Sequence, residues 1–179
     1  MIKSRAIRVG VIGAGTVGTG VVKIIRSEAN SIEEKTGIRI DLAKVCDRSS
    51  SRLRGLNIPR GLWSRDAREL IKDPNIDILV ELIGGVHPAR EIILQALASG
   101  KHVVTANKAL LAEHGKKIFS TASENGRSLG FEASVCGGIP IIKAVREGLA
   151  ANKISHFLGI VNGTCNYILS AMSQAGLAF

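Results

Sequence analysis

Near the start of the chain an apolar run, Ala6 to Ile12, gives way to Gly13-Ala14-Gly15-Thr16-Val17-Gly18 and then to apolar residues at helical spacing. An apolar run with little alternation suits a strand covered on both faces. Val17, Val21, Val22, Ile24 and Ile25 then predict a helix from Val17 to Glu28. The three glycines between strand and helix have separate uses. Gly13 permits a tight turn, Gly15 lets backbone approach a bound group, and Gly18 lets helix pack on strand. Such a strand needs covering layers on both sides, which narrows the chain to a helix-covered sheet.

The rest of the first two-thirds repeats this alternation. A second strand is expected from about Ile38 to Cys46, and Arg52 to Trp63 reads as a loop broken by Gly55, Pro59 and Gly61. Asp66 to Lys72 predicts a short helix ended by Asp73-Pro74. A third strand, Ile76 to Leu82, runs into Gly84-Gly85, and a helix follows from Pro88 to Ser99. His102 to Thr105 is a fourth strand, Leu110 to Asn125 a helix closed by Gly126, and Ser128 to Glu132 a fifth short strand. Strands alternating with helices through short connections make an α/β, Rossmann-type doubly wound parallel sheet.

After residue 133 the pattern changes. Gly137-Gly138-Ile139-Pro140 opens a helix to about Asn152, Ile154 to Val161 reads as a strand, and a helix runs from Asn162-Gly163-Thr164 to about Gln174. A lone strand between two helices cannot bury its faces, so residues 134–179 are expected to be the incomplete start of an α+β domain following a cofactor domain at 1–133.

Composition limits the partners. The 179 residues suffice for one full domain and the beginning of a second. Hydrophobic residues are 45% and charged residues 22%, a globular balance, and aromatics at 3% leave an aliphatic core. The net charge of +9 is spread without an aromatic-interleaved basic patch, so no nucleic-acid partner is expected. The three cysteines, Cys46, Cys136 and Cys165, show neither zinc spacing nor a CxxC pair, which fits a reducing, cytoplasmic compartment. No signal peptide and no membrane-spanning run are expected.

Several residues stand where chemistry would occur. A helix opening after Gly13 to Gly18 offers free N–H groups and partial positive charge to a dinucleotide pyrophosphate. Asp47 and Arg48 close the second strand. The acid would hydrogen-bond ribose hydroxyls and favour NAD, whereas the arginine would pair with the 2′-phosphate of NADP, so both cofactors stay open. The separation of Gly18 and Asp47 exceeds the usual ~20 residues because a polar extension, Asn30 to Gly37, intervenes.

Gly84, Gly85 and His87, after the third strand, pass near the cofactor. Lys108 follows the fourth strand at the sheet edge where open α/β sheets bind ligands; a solvated lysine at a helix start is the plainer reading. Thr105 and Asn107 either cap the following helix or line the nicotinamide pocket. Glu132 precedes the Ser134-Val135-Cys136-Gly137-Gly138 turn, whose carbonyls could hold a cation, although glycine turns usually only turn. Cys136 lacks a base nearby in sequence and is not expected to be a nucleophile. The four histidines are isolated, and His102 reads as a core residue.

Four stretches together resemble homoserine dehydrogenase. They are Gly10 to Gly18; Thr105-Ala106-Asn107-Lys108-Ala109-Leu110-Leu111-Ala112; Glu132-Ala133-Ser134-Val135-Cys136-Gly137-Gly138-Ile139-Pro140-Ile141-Ile142; and Gly159-Ile160-Val161-Asn162-Gly163-Thr164-Cys165-Asn166-Tyr167-Ile168-Leu169. The resemblance implies NAD- or NADP-dependent interconversion of L-homoserine, a small-molecule substrate, and L-aspartate 4-semialdehyde, on the route to threonine and methionine. It implies that Lys108 faces nicotinamide and substrate and that Gly13, Gly15, Thr16, Val17, Gly18, Gly84 and Thr105 lie along the cofactor. By the same resemblance Gly163 lies where two domains meet, Glu132, Val135, Gly137 and Ile139 hold a sodium ion, and the full-length protein is a homodimer. The family's general-acid lysine and its substrate-binding acids follow the point where this sequence stops, so an N-terminal portion is expected, inactive alone. Two rival readings are a different sugar or amino-acid dehydrogenase and a non-catalytic NAD(P)-binding module. Against the first rival, Asn107-Lys108-Ala109 stands where those enzymes carry Glu-Lys-Pro.

Overall fold

The computed structural model describes residues 5–160, 162–176 and 178, in two compact units, Met1–Gly137 and Gly138–Phe179. The first unit is a six-stranded sheet. Its strands are β1 (Ile7–Ile12), β2 (Ile40–Cys46), β3 (Trp63–Ser64), β4 (Ile78–Glu81), β5 (His102–Thr105) and β6 (Leu129–Gly130), in the order β3-β2-β1-β4-β5-β6. Every pairing is parallel. This order reverses direction between β1 and β4, so the crevice of a doubly wound sheet opens at their carboxyl ends. The pairing of β1 with β2 slips once: Val9 faces Leu42 but Gly10 faces Lys44, leaving Ala43 as an extra residue.

Two apolar layers sandwich the sheet. On one face Val9, Val11, Val45 and Val80 pack with Val22 of helix α1 (Thr16–Ser27) and Leu53 of α3 (Ser50–Gly55). On the other, Ile12, Leu79 and Val103 pack with α4 (Ala67–Lys72), α5 (Ala89–Ala98) and α6 (Lys108–Glu124) through Leu70, Ile93 and Ile118. The core is aliphatic, as the scarcity of aromatics requires.

One segment gains a structure and two sequence expectations need correction here. The polar extension forms a helix, α2 (Ala29–Thr36), ended by Gly37 in the left-handed conformation; it buries no residue, so it shows no core-facing stripe. Arg52 to Trp63 is not all loop: it holds most of α3, a 3₁₀ turn at Arg60–Leu62 and the start of β3, whose pairing with β2 makes it the sixth strand. The last strand is only Leu129–Gly130, and Glu132 lies instead in a 3₁₀ turn, Glu132–Ser134.

In the second unit α7 (Ile141–Lys143) runs into a π-helical turn, Ala144–Gly148, in place of a helix to Asn152. Helix α8 (Gly163–Ala175) begins at Asn162, whose side chain accepts the Cys165 N–H at 2.9 Å. The expected strand from Ile154 to Val161 is absent over 154–160, and Val161 lies outside the described residues. A strand requires a neighbour for its N–H and C=O groups, and none of the described residues supplies one here. No described residue of this unit is buried, and Phe157, Leu158, Ile160 and Tyr167 are all exposed.

No helix among the described residues is long and apolar enough to cross a membrane. Lys101 is a buried cation, 4% exposed, at the opposite end of the sheet from the crevice. Its Nζ donates to the carbonyl oxygens of Asp73 and Ile76, the latter at 2.8 Å. Cys46, at the end of β2, is a free buried thiol.

Burial lowers the Lys101 pKa below its ordinary 10.5, against the opposing pull of Asp73 and Asp77. Lys101→Met strips two carbonyls of their donor and is expected to cost about 1–3 kcal/mol in urea unfolding. A folded-state pKa below the unfolded one means that the unfolded chain binds more protons at alkaline pH. The parent should therefore gain stability over the variant as pH rises toward 10.5; a narrowing gap contradicts this account. Burial likewise pushes the Cys46 thiol up to about 11, so thiol titration of the native chain should show Cys136 and Cys165 reacting quickly and Cys46 only after unfolding.

Candidate functional site

The crevice forms where the β1 turn meets the end of β4. Gly13 N–H donates to the Cys46 carbonyl at 2.8 Å, and Leu82 N–H donates to the Ile12 carbonyl at 2.8 Å. Gly13 has φ +102°, and a Cβ there would lie 2.7 Å from the Leu82 backbone. A Cβ on Gly18 would lie 1.8 Å from the Gly13 carbonyl oxygen, so no side chain fits. Gly15 differs: a Cβ there would meet nothing within 4 Å, so its lack of a side chain leaves open space above the turn.

Helix α1 starts at that open space. Its N-cap is Gly15, no side chain caps it, and no acidic residue stands in its first turn. The first-turn amides thus face outward with the positive end of the helix dipole behind them. Thr16 and Val17, in that turn, are exposed. A cradle open at Gly15, closed at Gly13 and Gly18, and lined with uncapped N–H groups fits a dinucleotide pyrophosphate.

A cleft of about 360 Å³ continues from Gly13 and Gly15 along the ends of β2 and β4, bordered also by Asp47, Arg48, Gly84 and His87. Asp47 has a structural part beside its place at the cleft. It is 9% exposed, and its Oδ2 accepts the Ala14 N–H at 2.7 Å while Oδ1 accepts the Ser49 N–H at 2.8 Å. Its carboxylate therefore braces the glycine turn. Arg52 lies 3.6 Å from the same carboxylate. Arg48, Arg52 and Arg65 are all exposed and border the cleft, and Arg52 and Arg65 were not singled out from the sequence. Arg52 lies in the first turn of α3, inside the stretch that reads as loop, and Arg65 stands just beyond β3, between that stretch and the helix expected from Asp66.

On the other side of the switch point, Thr105 ends β5 fully buried. Its hydroxyl donates to Glu81 Oε2 at 2.7 Å and accepts the Asn107 N–H at 3.1 Å. Asn107 is the helix cap: Oδ1 accepts the Leu110 N–H at 3.2 Å, and Nδ2 donates to the Gly85 carbonyl at 2.6 Å. Lys108, the first residue of α6, is exposed. Glu81 was missed from the sequence. Its only signal is an acid inside the apolar run Ile78-Leu79-Val80-Glu81-Leu82-Ile83.

The turn after β6 carries Cys136 at φ +52° and Gly137 at φ +60°, a left-handed pair that is unusual for the cysteine. Among the described residues no group of three or more His, Cys, Asp or Glu side chains could hold a metal ion. Backbone oxygens are a separate class of ligand. Of the expected sodium ligands, Glu132, Val135 and Gly137 belong to the first unit and Ile139 to the second. Gly163 opens α8, also in the second unit.

Comparison with known proteins agrees with this crevice. A family model described as "Homoserine dehydrogenase, NAD binding domain" matches residues 13–132, and one described as "Homoserine dehydrogenase" matches residues 140–179. The homoserine dehydrogenase of Neisseria gonorrhoeae is 45% identical over 175 residues, 98% of this chain and 40% of that protein. That of Bacillus subtilis is 43% identical over 168 residues, 94% of this chain and 39% of that protein. The crystal structure of a homoserine dehydrogenase from Thiobacillus denitrificans matches with a TM-score of 0.87 and 47% identity, over 97% of this chain and 40% of that one. The Staphylococcus aureus enzyme at pH 7.5 matches with a TM-score of 0.77 and 39% identity. The chain thus spans about 40% of the length of these relatives, with an α/β NAD-binding fold in common. On its sequence, its sheet order and its glycine turn, the chain belongs to the homoserine dehydrogenase family.

Proposed function

We propose that the protein containing this chain interconverts L-homoserine and L-aspartate 4-semialdehyde with a nicotinamide dinucleotide, within the synthesis of threonine and methionine. The observation that carries the reading is the uncapped α1 terminus above Gly15, continuous with a cleft that reaches Gly84 at the end of β4. Residues 1–133 act as the cofactor domain and 134–179 begin the substrate domain. Thr16, Val17 and Gly18 hold the pyrophosphate through backbone N–H groups, Gly15 gives it room, and Gly13 makes the turn that brings it there. The bound cofactor supplies or accepts a hydride at the carbon that is aldehyde in one direction and alcohol in the other. Negative charge gathers on the substrate oxygen as the aldehyde is reduced, and Lys108 supplies a positive field or a proton there.

Thr105, in this reading, supports the pocket from beneath. Glu132, Val135, Gly137 and Ile139 offer oxygens to a sodium ion, Gly163 belongs to the cofactor-binding set, and the protein is a cytoplasmic homodimer. The left-handed Cys136-Gly137 pair favours a cation-holding turn, since such backbone persists where a site requires it.

The same reading favours NADP over NAD. Each Asp47 oxygen already accepts a backbone N–H, which leaves the carboxylate fewer acceptor sites for a free 2′-hydroxyl. Three arginines border the same end of the cleft, and guanidinium groups match a phosphate in shape and charge.

Fluorescence titration of the chain should show tighter binding of NADPH than of NADH. Arg48→Ala or Arg65→Ala should weaken NADPH about tenfold and leave NADH unchanged; tighter NADH binding by the parent would falsify the preference. In the complete protein, Lys108→Ala should lower homoserine-dependent NADP⁺ reduction by about 10²-fold or more, the scale of a lost proton donor or field. Retention of that activity, or turnover of a different alcohol only, overturns the assignment.

A further inference from the structure

We propose that Glu81 is a positioning residue that locks the loop after β4 to the start of α6, so that Gly84 and Lys108 are presented to a bound cofactor as one rigid piece. The inference rests on reading the cleft as a nicotinamide dinucleotide site. Glu81 is 0% exposed at the carboxyl end of β4. Its Oε1 accepts the N–H groups of Ile83 at 2.8 Å and Gly84 at 3.2 Å. Its Oε2 accepts the Thr105 hydroxyl at 2.7 Å, and Thr105 Oγ accepts the Asn107 N–H at 3.1 Å. Asn107 returns to the loop by donating from Nδ2 to the Gly85 carbonyl at 2.6 Å. The bonds close a ring through Glu81, Gly84, Gly85, Asn107 and Thr105, and Lys108 is the next residue along the chain.

Core packing alone does not account for such a residue. A buried carboxylate is expensive to desolvate, and no cation pairs with Glu81 among the described residues. Leucine would fill the space between β4 and its neighbours more cheaply. The carboxylate instead supplies three acceptor positions, and all three serve segments leaving the sheet at the edge where ligands bind. Charged acceptors hold such donors more tightly than neutral ones. Gly84 and Gly85 both have positive φ, +72° and +71°, so without the ring this loop has little else to fix it. Fixing a loop and a helix start before the ligand arrives removes an ordering cost from binding.

The test uses this chain with Glu81→Gln, Thr105→Val and Thr105→Ser, read by amide hydrogen exchange and by NADPH fluorescence titration. Glu81→Gln and Thr105→Val should speed exchange at Ile83, Gly84 and Asn107 and weaken NADPH about tenfold, the scale of one or two charge-assisted hydrogen bonds. Amides of β1 and β2 should keep their protection. Thr105→Ser keeps the hydroxyl and should stay within about threefold of the parent in affinity. Loss of protection spread evenly over the sheet, or unchanged NADPH affinity beside a loosened loop, overturns the proposal. If Glu81→Gln does not fold, the two Thr105 variants decide it alone. A parent chain that binds neither NADPH nor NADH overturns the nucleotide reading instead, and local exchange at Ile83 and Gly84 then decides whether the ring exists.

Discussion

The approach of the β1 turn to the end of β4 is the contact on which the carboxyl edge of the sheet depends. Gly13 lies so near the Leu82 backbone that no side chain fits between them, and Gly18 lies closer still over Gly13. These two contacts bring α1 down onto the sheet with its first turn aimed across the crevice. The reversal of strand order at the same place keeps the crevice open. If either contact were looser, α1 would ride higher and its amides would point past the cleft.

Two polar braces then set the walls. On the β2 side, Asp47 reaches back to Ala14 and ties the glycine turn to the loop that leads into α3. On the β5 side, Glu81, Thr105 and Asn107 tie the β4 loop to the cap of α6. Both braces use a carboxylate nine-tenths or more buried, whose partners are almost all neutral groups. Among the described residues the side chains of the exposed cations Arg48, Arg65 and Lys108 form no hydrogen bond or ion pair, and they stand at the cleft rim or at the carboxyl edge of the sheet. Braced acids below and exposed cations above is an arrangement suited to receiving an anionic ligand.

Much of this was legible in the residues, and the exceptions share a cause. The strand, glycine turn and helix at Gly13 to Gly18 carry three independent local signals, so their placement followed from spacing alone. Lys108 and the Asn107 cap followed in the same way, from a strand ending directly in a helix. Helix α2 was hidden because it buries nothing, and β3 because two residues have no period to read. Arg52 was lost in the stretch that reads as loop, and Arg65 beside the short strand that ends it. The role of Asp47 turned on which way a carboxylate points, which spacing cannot express. Glu81 was masked by its apolar neighbours, and only the long-range bond to Thr105 gives it meaning.

The engagement of Asp47 has a consequence for how such a protein can change. A residue that both bounds a cleft and holds a backbone turn cannot be exchanged to alter one property without disturbing the other. Removing its carboxylate would release Ala14 and Ser49 together, and with them the geometry of the glycine turn. The side chains of Arg48 and Arg65 are exposed and bond to none of the described residues, so substitutions there leave these braces intact. Variation in what the cleft accepts is thereby channelled to its rim, while its floor stays fixed.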